Sequence, residues 1–124
     1  MSLAIIPTLH VDDINVAREF YENVLGFQVD WVWRAAANAP AFSQISYQDA
    51  RVYLTERSEG GSGTLLHLYV ENVDDWYRRL LANNIPVDSM PHDEAWGNRE
   101  MQIRDPDGNY LRFCTPLTAL QAGR

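Results

Sequence analysis

The sequence predicts an α+β protein made of two βαβββ units in tandem, each a four-stranded sheet with a helix on one face. Three observations carry that expectation. Two amphipathic stretches open on helix-capping residues, Asp13 in the first half of the chain and Asn72 in the second. The run Asp105-Pro106-Asp107-Gly108-Asn109 is a dense turn signal between two alternating segments, which makes residues 96–113 a hairpin. The remaining apolar stretches are short and rich in β-branched and aromatic residues, as strands are.

Met1 to Leu3 carry no pattern, and residues 4–11, AIIPTLHV, read as a strand with Pro7 at an edge or end. Asp12 and Asp13 cap a helix whose apolar members are Ile14, Ala17, Phe20 or Tyr21, Val24 and Leu25, and Gly26 ends it. Residues 27–34 follow as a strand with Phe27, Val29, Trp31 and Trp33 on one face and Gln28, Asp30, Val32 and Arg34 on the other. Residues 41–47 and 51–55 are two more strands, turned at 48–50. The segment SEGGSG, residues 58–63, is a linker by composition.

The order then repeats. Residues 64–70 are a strand, and Asn72 caps a helix with an apolar stripe of Val73, Trp76, Tyr77, Leu80 and Leu81 that finishes near Asn83-Asn84. Residues 85–90 are expected as a short strand, 91–95 as a polar loop, and 117–124 as a frayed tail. In the hairpin, Arg99, Met101 and Ile103 alternate with Glu100, Gln102 and Arg104, and Leu111, Phe113 and Thr115 alternate with Tyr110, Arg112 and Cys114. Leu111 and Phe113 belong in a core; an aromatic and a guanidinium on the other face need water or a ligand.

At 124 residues and 46% hydrophobic, the chain has the size of one domain, with module one at 4–58, module two at 64–116 and the linker at 58–63. No apolar run is long enough for a membrane span and no signal-peptide pattern opens the chain, so a cytoplasmic protein is expected. The lone Cys114, with no cysteine to pair with, fits a reducing compartment and reads as an inert wall thiol. The net charge of −7 without any basic run excludes nucleic acid as a partner and permits a cationic ligand. Fourteen aromatics (4 Trp, 6 Tyr, 4 Phe) are enough to fill a core and furnish a site as well.

If the halves are copies of one unit, a single offset should align cap, helix and strands together. The offset that carries Asp13 to Asn72 also carries Val11 to Val70, Ile14 to Val73, Tyr21 to Leu80 and Val52 to Leu111. The stretches VDDINVAREFYENVLGF, residues 11–27, and RDPDGNYLRF, residues 104–113, resemble the first and last signatures of the vicinal oxygen chelate superfamily, which holds glyoxalases, extradiol dioxygenases and bleomycin-resistance proteins. The resemblance covers roughly residues 4–116 and implies a cup-shaped, eight-stranded mixed sheet.

In that superfamily's enzymes, four side chains from four strands hold a divalent metal inside the cup. The resemblance places them at Ile6, Tyr53, Leu65 and Arg112, and the offset between the caps independently carries Ile6 to Leu65 and Tyr53 to Arg112. None of the four offers the imidazole, carboxylate or thiolate a divalent cation needs. A metal-free protein is therefore expected, with no cofactor and no catalytic residue assigned. The alternatives are a metalloenzyme with a site rebuilt from His10, His67 and Glu56 or Glu100, and a regulatory protein with a closed cup.

The resemblance is strongest to the bleomycin-resistance proteins, whose Trp-Gly pair before the turn is similar to Trp96-Gly97. It implies a homodimer, with the first strand exchanged between copies, that sequesters an aromatic or glycopeptide-like small molecule. The implied lining is Trp31, Trp33, Phe42, Tyr53, His67, Tyr69, Trp96, Tyr110 and Arg112. Arg112 is expected to pair with Glu56, Glu100, another carboxylate or a ligand anion, because an isolated guanidinium there would be costly. Trp31 and Trp33 equally suit a dimer interface, and Trp76 belongs to the helix core.

Overall fold

The computed structural model describes residues 2–122; Met1, Gly123 and Arg124 lie outside the described residues. The chain divides into two compact units between Thr64 and Leu65. The first contains β1 (Thr8–His10), α1 (Ile14–Glu19) continued by a π-helical turn (Phe20–Val24), β2 (Gln28–Trp33), β3 (Phe42–Tyr47) and β4 (Ala50–Thr55). The second contains β5 (Leu65–Tyr69), α2 (Val73–Ala82), β6 (Ser89–Asp93), β7 (Asn98–Arg104), β8 (Tyr110–Pro116) and α3 (Leu117–Ala122). Each unit has one four-stranded mixed sheet, ordered β1-β4-β3-β2 and β5-β8-β7-β6.

The repeat holds residue by residue through the caps, the helix starts and the inner parallel strand pair. β1 pairs in parallel with β4 of the same chain through Thr8 with Tyr53, Leu9 with Leu54 and His10 with Thr55. The offset from Asp13 to Asn72, applied to both members of each pair, gives the β5–β8 pairs His67 with Arg112, Leu68 with Phe113 and Tyr69 with Cys114. It also carries the helix starts: the Asp13 side chain accepts from Asn15 N at 2.8 Å and the Asn72 side chain from Asp74 N at 2.9 Å. A second cap repeats too, since Ile14 N donates to Glu56 Oε2 at 2.8 Å and Val73 N to Thr115 Oγ1 at 2.9 Å. Removing the Asn72 cap with Asn72→Ala leaves orphan helix N–H groups and should cost about 1 kcal/mol, read from the midpoint of urea unfolding.

Leu9, Ile14, Ala17, Tyr21, Leu25, Ile45 and Leu54 make the core of the first unit, and Val73, Leu80, Met101, Ile103, Leu111 and Phe113 that of the second. Tyr21 meets Phe20 and Phe27 edge-on at 5.3 and 5.7 Å.

The structure corrects several local expectations. Residues 4–7 are not strand: β1 starts at Thr8, although Pro7 O still accepts from Tyr53 N at 2.9 Å, so Ile6 lies ahead of the sheet. The first helix widens at its end, where Leu25 N reaches back to Phe20 O at 3.3 Å, one residue further than in an α-helix. The sixth strand is Ser89–Asp93 and takes in much of the expected loop, because Asp88 N and the register pair of Ser89 engage Gln102. The tail is helical from Leu117 to Ala122, held at its start by Leu117 N donating to Gly97 O at 2.9 Å. Leu81, counted in the apolar stripe, is 48% exposed. The glycine-rich segment runs beside β1, with His10 N donating to Gly61 O at 2.9 Å and Gly61 N to Thr8 O at 3.0 Å.

Candidate functional site

In the first unit, Ile45, Val52 and Leu54 point to the core, and the alternate residues form the sheet's second face. Register places Trp33 beside Phe42 and Trp31 beside Gln44 on β2–β3, and Gln44 beside Tyr53 on β3–β4. Three rings cluster there: Trp31–Phe42 at 5.5 Å, Trp31–Tyr53 at 5.9 Å and Phe42–Tyr53 at 5.0 Å between centroids. Trp31 and Trp33 remain 39% and 55% exposed, an unusual cost for indoles unless something covers them.

A β-bulge between Val29 and Trp31 corrects the expected faces of β2. Val29 pairs with Ile45 on the buried face, whereas Trp31 pairs with Gln44 on the other, so the two do not share a side. The extra residue turns Asp30 onto the aromatic face, where its carboxylate accepts from Gln44 Nε2 at 2.9 Å and Ser46 Oγ at 3.0 Å. Strict alternation would put Asp30 opposite the tryptophans.

In the second unit, Trp76 stacks on Phe113 at 5.0 Å and Arg99 pairs with Asp74 at 3.0 Å, which fixes the helix side of the sheet. The other face carries Leu65, His67 and Tyr69 beside Tyr110, Arg112 and Cys114, then Arg104, Gln102 and Glu100. Arg104 lies over the Tyr110 ring at 5.2 Å. Arg112 donates from Nε and Nη2 to Gln102 Oε1 at 3.2 and 2.7 Å. Its hydrogen-bond partner is thus a neutral amide, and Glu56 is committed to Ile14 N and Ala41 N.

Trp96 sits in the β6–β7 hairpin, 65% exposed, with its indole Nε1 donating to Glu100 Oε2 at 2.9 Å. Asn98 Nδ2 bridges Glu100 Oε2 and Tyr69 Oη, at 3.1 Å to each. Glu100 is only 3% exposed. Burial pushes its carboxyl up, but hydrogen bonds from Trp96, Asn98 and Cys114 and the Arg112 charge outweigh burial and hold it below the usual carboxylate range. A depressed native value means that the unfolded chain binds the proton more readily. Glu100 therefore stabilises the fold above the ordinary value of about 4.5, and that stabilisation fades as pH falls through the native value. Urea midpoints measured across mildly acidic pH should drop less steeply for Glu100→Gln than for the unsubstituted protein.

Cys114 is fully buried, with its Sγ 3.4 Å from Arg112 O. Burial, then the Glu100 charge, push its thiol up to about 12, so it is no nucleophile near neutral pH. In the hairpin, the Met90 carbonyl first and Glu94 next favour the protonated form of His92.

The four residues that the resemblance sets at the superfamily's metal positions do not have the chemistry to hold a metal. Ile6 and Leu65 offer no donor atom, Tyr53 a phenol within an aromatic cluster, and Arg112 a cation bonded to Gln102. The alternative donors are dispersed or engaged: His10 Nδ1 lies 2.6 Å from Arg57 O, Glu56 caps backbone N–H groups and Glu100 holds Trp96. Among the described residues no three His, Cys, Asp or Glu side chains gather as a metal would require.

Of the nine expected lining residues, Trp31, Trp33, Phe42 and Tyr53 come together on the first unit's sheet. His67, Tyr69, Tyr110 and Arg112 share a face of the second, with Trp96 tied to it through Glu100. A depression of about 480 Å³ in the first unit is lined by Gly26, Gln28, Ser46, Tyr47 and Gln48 and contains none of them. The sequence reading missed Asp30, Gln44, Gln102 and Asp88. An offset one position shorter than the one that aligns the helices carries Asp30 to Asp88 and Gln44 to Gln102, and would have found all four.

Two βαβββ units, each with a half-polar, half-aromatic sheet face, define a fold of the vicinal oxygen chelate kind. Residues 5–113 match the model of the Glyoxalase/Bleomycin resistance protein/Dioxygenase superfamily, and the chain belongs to that superfamily. It is similar to a bleomycin resistance protein of Staphylococcus aureus, 26% identical over 129 residues spanning 87% of this chain and 92% of that protein. TnmS3, an antibiotic binding protein from Streptomyces sp. CB03234, shares the fold with a TM-score of 0.72 and 24% identity over 94% of this chain and 98% of its own. So does a lactoylglutathione lyase from Agrobacterium tumefaciens, with a TM-score of 0.73 and 23% identity over 93% and 95% of the two chains. No helix of the described residues is long and apolar enough to cross a membrane.

Proposed function

We propose that this protein binds and sequesters an aromatic small molecule, holding it by ring contacts and polar groups without a metal. The observation that carries this is the Trp31–Phe42–Tyr53 cluster beside the exposed Trp33, built around one of the four places where the superfamily's enzymes coordinate. The likeness to a bleomycin resistance protein supports it, as does the fold shared with an antibiotic binding protein. Stacking on such rings contributes about 0.5–1.5 kcal/mol per contact. The exposed Tyr69 and Trp96 of the second unit also give a second copy apolar rings to cover, so the working form is a homodimer, which sedimentation would show.

Bleomycin, ethidium and 2-naphthoate are suitable probes, read by quenching of tryptophan emission and by thermal shift. Saturation with at least one is the expected result, since a ligand at about 100 times its Kd stabilises a fold by about 2.7 kcal/mol. Trp31→Ala should then weaken that probe about 2- to 10-fold. Emission and melting temperature unmoved by all three would overturn the proposal.

A further inference from the structure

The two sheet faces repeat one polar device. In the second unit, Gln102 Nε2 donates to Asp88 Oδ2 at 3.3 Å while its Oε1 accepts from Arg112; in the first, Gln44 Nε2 donates to Asp30 Oδ2 at 2.9 Å with Tyr53 as its register neighbour. Chemistry fixes the amide's orientation, because a carboxylate only accepts and a guanidinium only donates. Asp88 is itself held, accepting from Arg104 Nε at 2.9 Å, and its backbone N–H donates to Gln102 O at 2.8 Å. Asp88 and Gln102 thus set the plane of Arg112.

That plane has a consequence for Arg112. Gln102 occupies the Nε/Nη2 edge of the guanidinium, and among the described residues no carboxylate forms an ion pair with it. Glu100 acts on Arg112 through space, but its Oε2 is taken by Trp96 and Asn98. The Nη1/Nη2 edge is left as a two-pronged donor, half-buried, with His67 and Tyr110 on the same face. A planar pair of anionic oxygens matches that edge with two parallel hydrogen bonds.

We propose that Arg112 is the specificity-determining anchor for a carboxylate on an aromatic ligand held at the second unit's own sheet face, beside His67 and Tyr110, and that Gln102 and Asp88 are its positioning residues; this rests on the binding function proposed above. The structure replaces a cation held by protein carboxylates with a protein cation that holds a ligand carboxylate. Tyr53, at the repeated position of the first unit, offers a neutral phenol instead, so the carboxylate has one anchor per chain.

The test compares 2-naphthoate with 2-naphthamide, which have the same rings and nearly the same shape but differ in charge, by tryptophan quenching near neutral pH and at low salt. Naphthoate is expected to bind at least about 10-fold more tightly. Arg112→Gln should erase the preference, and Arg112→Lys, which keeps the charge but not the fork, should restore only part of it. Gln102→Leu should lower the preference without removing the charge, a change in ratio that a merely structural role would not produce. Circular dichroism and melting temperature check that each variant folds. Equal affinities for the two probes, or a preference that survives Arg112→Gln, would overturn the anchor while leaving aromatic binding in place; failure of naphthoate, naphthamide, bleomycin and ethidium alike would remove both.

Discussion

Replacing Phe113 with alanine is expected to cost about 3–5 kcal/mol of folding stability, the largest loss from any single truncation considered for this protein. Phe113 is wholly buried on β8 and packs under α2 against Trp76 at 5.0 Å. Its sheet neighbours Met101 and Leu68 and its strand-mate Leu111 are themselves hemmed in by backbone pairing, so they have little freedom to move into the space left behind. The loss therefore combines the transfer term with an unfilled cavity. Leu54 is its counterpart in the first unit, paired with Leu9 as Phe113 is with Leu68, and Leu54→Ala should cost about 2–5 kcal/mol. Urea unfolding followed by tryptophan emission and by far-UV circular dichroism gives both numbers. A cost below about 1 kcal/mol for Phe113→Ala would contradict the packing described here.

Asp105→Ala is expected to cost about 3 kcal/mol, because it strips three donors of one buried acceptor side chain at once. Asp105 Oδ1 accepts from Asp107 N at 2.9 Å and Asn109 N at 2.8 Å, and Oδ2 accepts from Asn109 Nδ2 at 2.9 Å. Asn109 is fully buried and Asp105 is 5% exposed, so water cannot replace those acceptors without opening the turn. Asp105→Asn keeps one oxygen for the backbone donors but turns an amide toward the amide of Asn109, and should fall between the two. The β7–β8 register sets Gln102 against Arg112, so loosening this turn should also reduce ligand affinity, which the naphthoate titration would register.

Both substitutions fall in stretches that were readable in advance, for a physical reason. The register of β7 and β8 has no bulge, so each side chain's face follows from its parity within its strand, and Leu111 and Phe113 lie in the core while Tyr110 and Arg112 do not. The caps at Asp13 and Asn72 were equally plain, because a cap is a contact between near neighbours in the chain. The tail escaped the same kind of reading: its helix begins on a bond from Leu117 to Gly97, a partner in the preceding hairpin and far from it in sequence.

By itself the sequence determined two βαβββ units, their capped helices, and an offset that aligns caps, helices and the inner strand pair. These are matters of composition, periodicity and local capping, which neighbouring residues settle among themselves. Only the tertiary structure decided that Asp30 shares a face with the tryptophans, that Gln102 rather than a carboxylate holds Arg112, and that Glu100 is buried under Trp96. A bulge adds one residue to one strand and inverts everything beyond it, and a hydrogen bond across a sheet depends on register, which pairing between distant segments sets.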